Sequence, residues 1–343
     1  YPINDNFKIL RPKNLNELDI IFKENNFIIF YDLTHQLKYF KINSILLKNN
    51  IEKFYISNLG YNPENFNYKN NNIIQKFNNF IAFRLNYYLM RFLVLIKLWP
   101  KIDYFFESSS YIINSINSGL SKKIQNLTNV NFSFYSNVIK INSRSFDNSV
   151  YLKEEISEDY IVYIDFGGFD HPDITLRERG INNFDRSKKY YKNLYEFLSK
   201  LKDLYNKKII VCLHPKNYTS EKMNHFKDLE CVKFKTEKMI NRAFIVIYHE
   251  GSSIMQAFLL KKKIINLHAE YLGNYINKRS SLYSDLLNIK KIDLEKFEIH
   301  NKIDFLANLE KSTKNYDAYI EKNLVNDKSK TGIQQIVDYL KLR

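Results

Sequence analysis

Between Tyr160 and Leu267, short and mostly apolar runs alternate with longer stretches of helical period, and that alternation leaves few folds open. Strands without a polar side are buried on both faces, which is the condition of strands in a parallel sheet covered by helices. The runs are Tyr160 to Ile164, Lys208 to Leu213, Cys231 to Phe234, Ala243 to Tyr248 and Lys263 to Leu267. Helical patterns follow at Lys188 to Tyr205, Thr219 to Phe226, Thr236 to Asn241 and Ser253 to Leu260. A doubly wound α/β domain is the expectation for this half.

The first half carries the same rhythm more loosely. Phe27 to Tyr31, Lys53 to Ser57 and Asp103 to Glu107 read as strands, and Ile74 to Leu98 and Tyr111 to Gln125 as helices. Between Val138 and Asp159 the pattern weakens, so the expected domains are residues 1–150 and 151–343, each a Rossmann-like doubly wound sheet, facing one another across a cleft. A chain of 343 residues fits two domains at about 150 residues each.

Composition removes other classes. With 45% hydrophobic and 26% charged residues, and only 8 Gly and 6 Pro, the chain is neither disordered nor fibrous. Its most apolar stretch, Ile81 to Trp99, contains Arg84, Arg91 and Lys97 and fails as a membrane span. Two cysteines, Cys212 and Cys231, make no disulfide framework, and Cys212 lies in an apolar run as a buried thiol; a cytoplasmic setting fits. Tyr1 in place of Met reads as a trimmed chain or a module cut from a longer polypeptide. A net charge of +15 points to anionic partners: a nucleotide, a nucleic acid or an anionic membrane face. The aromatics fall inside apolar periodic runs, where they act as core and not as stacking platforms, which disfavours nucleic acid.

Open parallel sheets bind ligands beyond the carboxyl ends of their strands. After the strand ending at Ile164 come Asp165, Gly167, Gly168 and then His171-Pro172-Asp173. After Leu213 come His214-Pro215-Lys216, a histidine suited to protonate a leaving phosphate beside a cation. After Tyr248 come His249-Glu250-Gly251-Ser252-Ser253 and an apolar helix, a turn rich in hydroxyls and backbone N–H groups. Each has a bland alternative: a turn cap at Asp165, a loop histidine at His214, a helix N-cap at the serines.

In order and placement these residues, with Lys235-Thr236 opening a helix, resemble the retaining β-Kdo glycosyltransferases of bacterial surface-polysaccharide synthesis, and more distantly the bacterial CMP-sialic acid transferases. The resemblance spans about Tyr160 to Leu272, while Glu250 and the paired glycines depart from it. It implies a GT-B enzyme that moves Kdo or a related 2-ulosonic acid from its CMP conjugate to a glycan or lipid-linked glycan of lipopolysaccharide or capsule. It implies Asp165 as nucleophile and His214 as catalytic partner, with His171, Asp173, His249, Ser252 and Ser253 on the substrate. Lys235 and Thr236 would meet the nucleotide, and Lys216 or Arg177 the sugar carboxylate. No cofactor beyond the CMP-sugar and no metal is expected, since no Asp-x-Asp strand end or His/Cys spacing is present. The setting would be cytoplasmic, at the inner membrane face if the acceptor is lipid-linked. The rivals are a GT-B transferase on a UDP- or GDP-sugar, a basic nucleic-acid-binding protein, and a non-catalytic module.

Overall fold

The chain was analysed as a computed structural model that describes residues 12–24, 28–30, 39–57, 89–110, 112–114, 134–151, 159–167, 183–215, 225–226, 229–298 and 302–342. These residues divide into two compact units that part between Lys140 and Ile141. The division precedes the expected boundary at 150/151 because the helix Arg144–Tyr151 packs on the helices Ile254–Leu259 and Gly332–Lys341, with Phe146 against the core of the second unit.

The first unit holds a parallel sheet of β1 (Ile28–Phe30), β2 (Glu52–Ser57), β3 (Ile102–Glu107) and β4 (Tyr135–Lys140), in that spatial order. Among the described residues this order contains no reversal. The expected strands at β1, β2 and β3 are present; β4 was not anticipated. Of the expected helix Ile74 to Leu98, the described part is helical over 89–95; the helix Tyr111 to Gln125 lies mostly outside the described residues.

The second unit is a six-stranded parallel sheet of β5 (Tyr160–Ile164), β6 (Lys208–Leu213), β7 (Glu230–Lys233), β8 (Ala243–Tyr248), β9 (Lys263–His268) and β10 (Lys290–Asp293). Its order is β10-β9-β8-β5-β6-β7, every neighbour parallel. Counted from its first strand this is 3-2-1-4-5-6, the doubly wound Rossmann order. Two parallel α/β units in one chain are the components of the GT-B architecture, as expected.

Strand periodicity sorts the residues between two faces. Ile161, Tyr163, Ile209, Val211, Leu213, Ile245, Ile247, Ile265 and Leu267 pack under the helix Asn183–Tyr205, which presents Tyr190, Leu194, Phe197, Leu198 and Leu201 at helical spacing. Tyr160, Val162, Ile164, Ile210, Cys212, Val246, Tyr248 and Ile264 pack on the other side against Ile240, Ile254, Phe258, Tyr316 and Tyr319. Each fully buried aliphatic chain contributes about 1.5–3 kcal/mol.

The unit closes on itself. Asn142, fully buried just after β4, donates to the carbonyls of Asp327 and Lys330, both at 2.6 Å, and accepts from the N–H groups of Asn326 and Asp327 at 2.5 and 3.0 Å. Its own N–H donates to the side chain of Gln335 at 3.0 Å. Thr331 and Gln334 form a capping box on the last helix, and Asp147 accepts from Gly332 N–H at 2.6 Å.

Candidate functional site

In the second sheet the winding reverses at β5, which pairs with β6 on one side and β8 on the other. Ile164 is level with both Cys212 and Tyr248, so the segments after β5, β6 and β8 leave the sheet side by side. This is the switch point, where the doubly wound fold makes its ligand crevice. The expected strand ends therefore come together.

Asp165 links two of them. Its backbone N–H donates to the Cys212 carbonyl at 3.0 Å, its Oδ1 accepts from Gly167 N–H at 3.2 Å, and its Oδ2 accepts from His214 N–H at 3.1 Å. The carboxylate thus fixes its own turn and the start of the His214-Pro215 segment, with Gly167 at φ 96° supplying a left-handed bend. Asp165 is only 3% exposed. Each carboxylate oxygen accepts from one backbone donor and keeps a further lone pair. His214 is half-buried at the edge of the sheet.

After β8 the chain divides its residues between core and surface. His249 continues the parity of Ile245 and Ile247 and enters the core beneath the sheet, at 0% exposure, so the expected substrate contact is corrected. Its Nδ1 lies 2.9 Å from the Leu267 carbonyl and donates to it, while its Nε2 has no hydrogen-bond partner among the described residues and the ring packs against Tyr163, Phe166 and Tyr190. Tyr163 and Tyr190 share a hydroxyl contact of 2.6 Å, and burial drives both phenols well above their usual range. Burial also lowers the His249 pKa from 6.5 to about 3.

The acid behaviour follows. An unfolded chain takes up the imidazole proton near pH 6.5 and the folded one near 3, so this stabilisation is complete above 6.5 and is lost as pH falls toward 3. Unfolding free energy should drop by about 2 kcal/mol between pH 7 and pH 5 on account of this one group. In His249→Leu the pH 7 to pH 5 difference, measured by urea titration, should shrink by that amount; an unchanged difference would refute the assignment.

Ser252 is exposed and Ser253 half-buried, and neither is spent as a helix cap: Ser253, at the cap position of Ile254–Leu259, makes no side-chain cap bond. Gly251 has φ 142°, and a Cβ there would meet nothing within 4 Å, so the turn opens onto free space. Glu250 is ion-paired with Arg279 at 2.5 Å. Arg279, on the helix Gly273–Leu287, was not anticipated, nor was Asn266, fully buried in β9, whose Nδ2 donates to Ser280 Oγ at 2.7 Å and approaches the His249 carbonyl at 3.4 Å. An asparagine within an apolar strand was the available signal, since a buried amide must find partners.

Thr236 is hydrogen-bonded to the Cys212 thiol, one strand residue short of the β6 end, and Lys235 before it is exposed. Cys212 is buried, its pKa pushed up to about 12 by desolvation, an inert thiol as expected. His171, Asp173, Arg177 and Lys216 lie outside the described residues. Among the described residues no cluster of three or more His, Cys, Asp or Glu forms a metal site, and no helix is long and apolar enough to cross a membrane.

No family model matches the chain and no curated protein matches it. Solved structures similar to it include the UDP-GlcNAc 2-epimerase of Methanocaldococcus jannaschii (12% identity, TM-score 0.43, covering 95% of this chain and 82% of that one). Others are CalG4, the calicheamicin glycosyltransferase (7% identity, TM-score 0.47, 96% and 76%), and Arabidopsis thaliana UGT89C1 complexed with UDP (10% identity, TM-score 0.39, 95% and 76%). The scores are low, and the fold stands on its own strand order.

Proposed function

We propose that the protein is a nucleotide-sugar-dependent glycosyltransferase whose donor nucleotide binds at the carboxyl edge of the six-stranded sheet. The observation that carries this reading is the switch point at β5, flanked by Asp165 to Gly167 on one side and by the open Gly251-Ser252-Ser253 turn on the other. Uncommitted hydroxyls and a bent backbone beside free space suit a phosphate. His214, held in place by Asp165, is suited to meet the leaving phosphate. The finer reading, from the resemblance, is a CMP-linked 2-ulosonic acid such as Kdo, passed to a surface glycan with the acceptor assigned to the first unit. Asp165 is buried and both its oxygens hold backbone N–H groups, so the reading assigns it to positioning.

Thermal melting in the presence of CMP, CDP, UDP and GDP tests both levels. A mononucleotide at a hundredfold excess over its Kd stabilises by about 2.7 kcal/mol, which raises Tm by several degrees. Stabilisation by CMP and CDP above UDP and GDP is expected. Stabilisation by UDP or GDP alone defeats the CMP assignment, and no shift with any of the four defeats the nucleotide-sugar reading itself.

A further inference from the structure

The segment Leu89-Met90-Arg91-Phe92-Leu93-Val94-Leu95-Ile96-Lys97-Leu98-Trp99-Pro100-Lys101 is apolar on more faces than its core uses. It is helical over 89–95 and turns at 96–97. Met90 and Val94, four residues apart, join Trp99 and Phe134 in a small core of the first unit. Away from that core, Leu89, Phe92, Leu95, Ile96 and Leu98 are exposed, Phe92 by 53% and Leu98 by 49%. Leu89, Phe92 and Ile96 stand at the i, i+3, i+7 spacing of one helical stripe. Isolated apolar residues on a surface need no explanation, but a contiguous group of this size does.

Charge decides between occupants. From 89 to 101 there is no acidic residue, in a chain of net charge +15; of the three cations Arg91 is half-buried with its guanidinium over the Phe134 ring, Lys101 is half-buried, and Lys97 is exposed. Lys97 is exposed between Ile96 and Leu98. An apolar face that carries an exposed lysine and no acidic residue matches the boundary between headgroups and acyl chains of an anionic bilayer, which takes both kinds of side chain at once. Seven helical residues rise only about 10 Å, so the segment lies on a membrane and does not cross it.

We propose that the face carrying Leu89, Phe92, Leu95, Ile96 and Leu98, with Lys97 among them, docks the protein on an anionic lipid bilayer. The apolar side chains enter the acyl boundary and Lys97 meets lipid phosphate. This stands apart from the transferase reading, and its test uses neither donor nor acceptor.

The test is co-sedimentation of the full chain with vesicles of phosphatidylcholine alone, and of phosphatidylcholine and phosphatidylglycerol in equal parts. Retention on the anionic vesicles, weakened by added salt, is expected. Lys97→Glu should lower it by about fivefold per unit of charge changed, and Phe92→Ser with Ile96→Ser by about tenfold or more, both melting with the wild type. Absence of retention, equal retention on the neutral vesicles, or indifference to both variants overturns the proposal. So does a wild-type dimer in the absence of lipid that the paired serine variant turns into a monomer, since the face would then bind a second copy.

Discussion

Replacing Asp165 by alanine will destabilise the protein by about 2–5 kcal/mol and remove the response to nucleotide. Two backbone donors, Gly167 N–H and His214 N–H, lose their acceptor at a buried position, each at about 1–3 kcal/mol. Asp165→Asn separates support from chemistry. The carboxamide keeps one acceptor oxygen and sets its own NH2 against the other donor, so about 1–3 kcal/mol is lost and the fold persists. In that variant the His214 segment is held at one point fewer, and the nucleotide-induced rise in Tm should fall while the basal melt remains cooperative. Intact-mass spectrometry of the wild type with CMP-Kdo should show no sugar-sized adduct. An adduct that appears in the wild type and vanishes in Asp165→Asn would sink the positioning role and restore the nucleophile.

The second large effect belongs to Asn142. One side chain satisfies four backbone groups of residues 326, 327 and 330, all from a fully buried site. Asn142→Ala removes all four bonds at once, at about 0.5–1.5 kcal/mol each, and a loss of about 2–6 kcal/mol in unfolding free energy is expected. Gly332→Ala probes the same junction by crowding: its Cβ would fall 2.5 Å from the Asn142 carbonyl oxygen, and backbone cannot swing aside as a flexible side chain would. Urea titrations of the two variants should show both weakened. A wild-type melt for Asn142→Ala would mean that the C-terminal segment is held by other contacts.

How far the sequence discloses this molecule depends on where polarity falls. β5, β6 and β8 are legible because each is buried on both faces and so is apolar, the exposed Lys208 that opens β6 apart, and each ends in residues that cannot prolong a strand cheaply. β10, Lys290–Asp293, is an edge strand with one buried residue, Ile292, and its two lysines erase any pattern. β4 hides in the same way behind Ser136 and Asn137, both exposed.

The site is legible as a set of strand ends but not as a set of directions. That Asp165 and His214 meet follows from the parallel register of β5 and β6, and the strand rhythm announces it. Whether a strand-end side chain faces ligand or core is a question of parity. Counting alternate residues from Ile245 through Ile247 would have sent His249 inward. The turn at Asp165 instead depends on its own backbone contacts with Cys212 and Gly167, which no period encodes.

The closure at Asn142 also sets an order on biosynthesis. Its partners lie 184 to 193 residues downstream, so when the segment after β4 leaves the ribosome the groups it must bind have yet to be made. The six strands between can assemble in the meantime, but the helix Arg144–Tyr151 waits for the last helix, Gly332–Lys341, before its Asp147 finds Gly332. The second unit is therefore locked only once residues 326–335 have been made, and a chain cut short before Asn326 keeps its sheet complete and lacks its clasp.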